Sequence, residues 1–128
     1  MAKPRKHSTR FLNLVDDAKT RIREISVEKV LADLKAGKQL NIIDVREERE
    51  YLISHIPSVR HIGKGVIERD IEKWYRNVDE ELILYCGGGF RSALAADALT
   101  KMGYTKVLSM AGGFREWKKS GGPLSLDI

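Results

Sequence analysis

The chain has 128 residues, 42% hydrophobic and 32% charged, which fits one soluble globular domain with its own core, and no apolar run approaches the ~20 residues of a spanning helix. Its net charge of +5 comes chiefly from Lys3, Arg5, Lys6 and Arg10, a solvated basic tail rather than a basic face, so neither membrane nor nucleic acid is an expected partner. A lone cysteine excludes an internal disulfide, and an N-terminus without a signal-peptide core points to a reducing cytoplasm.

In chain order, Met1 to Arg10 reads as a disordered basic tail. Phe11, Leu14, Val15, Ala18, Ile22 and Ile25 then fall on one face of a helix over 11–25. That stripe can dock on the domain or meet a partner; docking is the expectation. Glu24-Ile25-Ser26 can open a first strand. Ser26 caps a helix from Val27 to Ala36, and Gly37 stops it. Leu40 to Val45 is apolar enough for a strand covered on both faces. Glu47 to Ser54 is a short helix, broken by His55-Ile56-Pro57. Val59 to Ile62 is a short strand. Gly63-Lys64-Gly65 turns into a helix from Val66 to Arg76, with Ile67, Ile71 and Trp74 inward.

Leu82-Ile83-Leu84-Tyr85 is a further buried strand, ending in Cys86. Gly87, Gly88, Gly89, Phe90, Arg91 and Ser92 follow, and from Ser92 to Met102 the apolar spacing becomes helical. Lys106 to Ser109 is the fifth strand, Gly112-Gly113 a turn, and Phe114 to Lys119 a last helix. Gly121-Gly122-Pro123 ends the structured chain, leaving 124–128 as a tail. Strands alternating with helices over 26–123 predict an α/β domain, a five-stranded mainly parallel sheet with helices on both faces.

Cys86 therefore stands where a strand hands over to a helix, the edge at which open α/β sheets bind ligands. The glycines can turn successive N–H groups inward into an anion-binding nest. The following helix adds its positive end, and Arg91 a fork of charged donors. Such surroundings favour a thiolate nucleophile beside a bed for an anion. The rival reading, a buried cysteine serving as a small hydrophobe, leaves the glycines and Arg91 unexplained. Dinucleotide and P-loop patterns fail, because Arg91 is wrong for the first and the P-loop lysine is missing. His7, His55 and His61 show no metal-ligand spacing with Cys86. No metal or cofactor is expected. His55 is expected to pack or bond to backbone, and His7 and His61 carry no case for chemistry. Trp74, Phe114 and Trp117 read as core or interface aromatics.

Four pieces coincide: Ile42 to Arg46 with Glu50-Tyr51, His55-Ile56-Pro57, the loop from Cys86 to Ser92, and Ala111 to Phe114 with Trp117. Their order and spacing resemble the single-domain form of the rhodanese family of sulfurtransferases, over roughly Ser26 to Pro123. The resemblance implies that Cys86 takes the outer sulfur of an anionic donor such as thiosulfate. The resulting persulfide would pass to cyanide, a thiol or a protein acceptor. It implies that Gly87 to Ser92 bind the substrate, that Arg91 holds the donor, and that Asp44 and Arg46 brace the loop. Arg91 could instead pair with a surface acid, and Asp44 could cap the next helix. Ser54 and Ser58 stand where the family usually has glycines. Two other functions compete with this reading: a persulfide carrier with little small-molecule turnover, and a cysteine phosphatase or arsenate reductase. The phosphatases of this architecture have one more residue between cysteine and arginine than the four found here.

Overall fold

Strand β4 (Leu82–Tyr85) is buried along its whole length, as an apolar run must be when both faces of a sheet are covered. The computed structural model describes residues 7–125. In it β4 is the centre of a five-stranded sheet with β1 (Arg23–Ser26), β2 (Ile42–Asp44), β3 (Arg60–His61) and β5 (Val107–Ala111), in the order β1-β5-β4-β2-β3. Each pairing is parallel, so the chain must cross over between strands. Helices α2 (Val27–Lys35), α3 (Glu48–Ile53), α4 (Ile67–Trp74) and α5 (Phe90–Lys101) supply the crossovers, α6 (Gly113–Lys119) follows β5, and α1 (Thr9–Lys19) precedes the sheet. This is the α/β architecture expected.

Alternation along the strands divides the core in two. Ile43, Leu82 and Leu84 face Ile67 and Ile71 of α4 and Ala95, Ala96 and Leu99 of α5. Ile42, Ile83, Tyr85 and Met110 face Val27 and Val30 of α2 and Phe114 and Trp117 of α6. Helix α1 lies against α5 through the buried Val15 and Ala18.

Several boundaries differ from the sequence reading. Residues 1–6 lie outside the described residues. Residues 9 and 10 are helical rather than part of a tail, because the Ser8 hydroxyl caps the Phe11 amide at 3.2 Å. The helix also stops at Lys19, not at residue 25: the Thr20 hydroxyl donates to the Asp17 carbonyl at 2.6 Å, and Arg21 leaves for Asp97 at 2.8 Å. Ile22 packs into the core from the connection and Ile25 from β1. Leu14, expected inward, is 60% exposed. Trp74, expected inward, is 55% exposed, with the Arg60 guanidinium 3.8 Å from its ring centre in a cation–π contact at the surface. Strand β5 runs two residues past Ser109 to Ala111, drawn on by pairing with β1 up to Ser26. Residues 124 and 125 continue the structure: Ser125 bridges His55 in both directions, at 3.0 and 2.8 Å.

Candidate active site

The loop after β4 turns the Cys86 sulfur back toward its own backbone. The Gly89 amide donates to Sγ at 3.2 Å and the Ser92 amide at 3.3 Å. Only Gly89 of the three loop glycines uses the left-handed region, at φ 96°, where a side chain would be strained. It is the residue just before α5, so its amide and that of Ser92 converge on the sulfur from the positive end of a twelve-residue helix. Behind the sulfur is a chain of buried hydroxyls. Sγ lies 3.5 Å from Ser92 Oγ, and Ser92 Oγ lies 2.8 Å from Ser109 Oγ. Sequence reading missed Ser109. A serine on a core strand has no local signal, and its partner is 17 residues away.

Cys86 is 1% exposed, yet it lines a cavity of about 540 Å³ together with Gly87, Gly88, Phe90, Arg91, Glu50, Arg115, His7 and Phe11. His7 thus does reach the site, as a wall: its ring meets Phe90 edge-on at 4.7 Å and Phe11 at 5.1 Å. A second cavity, about 610 Å³, is lined by Arg46, His61, Lys64 and Trp74 and meets the first at Arg91. It lacks the cysteine, so the smaller cavity is the candidate site.

Arg91 does not stand free in this cavity. Its guanidinium forks onto Glu50, with distances of 2.7 and 3.1 Å. The hydrogen bonds from Arg91 hold the Glu50 carboxyl below its ordinary value of 4.5, and those to Glu50 raise Arg91 further. A depressed carboxylate keeps its pair intact above the ordinary value and loses it as pH falls through the depressed one. At neutral pH the two charges therefore face one another.

Asp44 ends β2, the strand beside β4, and together with Arg46 it meets Tyr85, the residue just before the cysteine. Asp44 is fully buried and Arg46 5% exposed. Their carboxylate and guanidinium meet at 2.8 to 3.1 Å, and the Tyr85 hydroxyl donates to Asp44 at 2.6 Å. Burial, then the Asp44 charge, pushes the Tyr85 phenol well above its ordinary range, so it stays a donor. The same hydroxyl accepts the Ile56 amide at 3.1 Å. Asp44 is thus not a helix cap. Glu47 holds the N-cap position of α3, while Asp44 accepts from Tyr85, the residue that precedes Cys86. His55 Nδ1 lies 3.0 Å from the Tyr51 carbonyl and His61 Nε2 lies 2.8 Å from that of Arg46, backbone contacts in both cases. Among the described residues no group of His, Cys, Asp and Glu is placed to hold a metal.

Helix α6 clamps the loop from the far side. The Phe114 amide donates to the Cys86 carbonyl at 2.8 Å and the Arg115 amide to that of Gly87 at 3.0 Å. Gly113, at φ 56°, sits so close that an added Cβ would press on the Cys86 carbonyl and come 2.8 Å from the Gly87 carbonyl carbon. Backbone atoms cannot swing aside. Gly113→Ala is expected to cost about 1–3 kcal/mol from the left-handed conformation alone, read as a lower urea midpoint; an unchanged midpoint would contradict this contact.

These features define a class: a parallel α/β domain presenting a cysteine in an amide-lined loop at the carboxyl edge of its sheet. The sequence model of the rhodanese-like domain matches residues 26–120. The chain belongs to that family. It is 38% identical over 96 residues to YrkF of Bacillus subtilis (strain 168), named as a sulfur carrier, covering 75% of this chain and 51% of that one. The match thus spans about half the length of YrkF. It is 32% identical over 97 residues to YtwF of the same organism, named as a sulfurtransferase, covering 76% and 91%. A solved structure from Rhodopseudomonas palustris CGA009, described as of unknown function and a candidate tyrosine phosphatase, superposes with a TM-score of 0.82 at 28% identity, over 97% of this chain and 100% of that one.

Proposed function

We propose that the protein is a sulfurtransferase that moves a sulfane sulfur from a donor such as thiosulfate to cyanide or a thiol through a persulfide on Cys86. One observation carries the reading: the Gly89 and Ser92 amides both aim at Sγ, and they stabilise negative charge on sulfur, whether thiolate or persulfide. The Cys86 thiolate attacks the outer sulfur of thiosulfate. The S–S bond of the donor breaks and sulfite leaves with its electron pair. The persulfide anion is then attacked by cyanide at its terminal sulfur, giving thiocyanate and returning the thiolate. Gly87, Gly88, Gly89, Phe90 and Ser92 form the bed of the site. Arg91, paired with Glu50, adds its charge at one wall.

The relatives' names favour sulfur chemistry over phosphate chemistry, and the four-residue spacing from Cys86 to Arg91 suits one sulfur atom rather than a tetrahedral oxyanion. The sulfur-carrier name of YrkF and the near-complete burial of Cys86 favour a second reading, in which the acceptor is another protein's thiol and small-molecule turnover is slow. Intact-mass measurement after incubation with thiosulfate tests the shared step. One added sulfur atom, removed by cyanide, is expected. Its absence, or phosphate release from an aryl phosphate instead, would overturn the reading.

A further inference from the structure

The cation left uncompensated in the Cys86 cavity is Arg115. Its guanidinium makes no hydrogen bond or ion pair among the described residues, whereas Arg91 faces Glu50. The Arg115 backbone is fixed beside the loop by its amide's bond to the Gly87 carbonyl, and its exposed side chain lines the cavity. Its Nη1 and the Phe90 ring flank one point at the cavity mouth: a Cβ built on Gly88 would lie 3.9 Å from the first and 3.5 Å from the second. The apolar wall continues outward through Phe11, 6.3 Å from Phe90 between ring centres, and His7. Phe11 and His7 belong to the α1 region, outside the residues 26–120 shared with the family. The cavity's 540 Å³ falls in the range of about 300–1,000 Å³ that takes organic ligands.

Resting on the sulfurtransferase reading, we infer that this cavity selects an organic sulfane-sulfur donor, with its anionic head on Arg115 and its apolar body against Phe11 and Phe90. A thiosulfonate is such a compound. Cys86 thiolate takes its terminal sulfur, the donor S–S bond breaks, and a sulfinate leaves with the electron pair.

The full chain is assayed with methanethiosulfonate and benzenethiosulfonate, which share a head and differ in body. Each kcat/KM is divided by the donor's rate with a free thiol. The wild type is expected to favour the aryl donor roughly tenfold, the scale on which apolar pockets discriminate. Phe11→Ala should bring the ratio near one, and Phe11→Leu, which keeps apolar bulk if the alanine variant fails to fold, should lower it partly. Arg115→Ala should raise KM for both donors, and Arg115→Lys should restore part of it. A wild-type ratio near one, a ratio indifferent to Phe11, or an unchanged KM in Arg115→Ala overturns the inference while leaving sulfur transfer intact. Failure of both thiosulfonates to load sulfur on Cys86 while thiosulfate does so also overturns the inference, whereas failure of thiosulfate and both thiosulfonates alike overturns the sulfurtransferase reading.

Discussion

Cys86→Ser is expected to abolish thiosulfate:cyanide sulfur transfer, by more than about 10³-fold, as loss of a nucleophile does in other covalent enzymes. Serine is smaller by little and can accept the same Gly89 and Ser92 amides that now reach Sγ at 3.2 and 3.3 Å. The loop therefore keeps its shape, and the urea midpoint should stay near wild type. What is lost is the atom: a hydroxyl stays protonated at neutral pH and forms no persulfide. Thiocyanate production and intact mass read the two halves of the claim. Full turnover in the serine variant would remove Cys86 as the nucleophile, and a folded variant that still gains a sulfur would move the carrier elsewhere.

What sequence could reveal of this site was what is local. The change from strand to helical spacing across Cys86 and the glycines is written within eleven residues, 82 to 92, and the loop folds by short-range hydrogen bonds. The central strand and the α2 cap at Ser26 were legible for the same reason. Long-range partners were not. Glu50 and Arg91 are 41 positions apart, and nothing in either neighbourhood marks them as a pair. Arg115 sits on a short helix among other charged residues and acquires its place only because α6 docks on the loop. The α1 boundary failed for a different reason. Ile22 and Ile25 continue the helical period although the Asp17 and Asp97 carboxylates draw Arg21 out of the helix. Periodicity cannot tell an apolar face of a helix from apolar residues on the connection and strand that follow. Trp74 shows the same limit, since an aromatic at helical spacing can stay at the surface against an arginine from a neighbouring strand.

Asp44→Ala is expected to destabilise the protein by about 3–5 kcal/mol, the cost of leaving one partner of a buried ion pair alone. Asp44 is fully buried, and Arg46 has no water to turn to at 5% exposure. Arg46 keeps one other hydrogen bond, to the Ser54 carbonyl at 2.7 Å, and lies 4.3 Å from the Phe114 ring centre; neither neutralises a full charge. The Tyr85 hydroxyl loses its 2.6 Å acceptor as well. Asp44→Asn keeps the shape and an acceptor for Tyr85 while removing the charge, so it should fall between alanine and wild type. Tyr85→Phe removes the hydroxyl alone, at about 1–3 kcal/mol for the Ile56 amide it leaves unpaired; the Asp44 oxygen loses one donor and keeps Arg46. Urea denaturation of the three variants ranks them, and an Asp44→Ala loss within about 0.5 kcal/mol of wild type, the scale of neutral surface changes, would refute the anchoring role. Activity should follow the same order in whatever fraction stays folded. Tyr85 is bonded to Cys86 through the chain, and a strand end that shifts carries the sulfur away from the amides that face it.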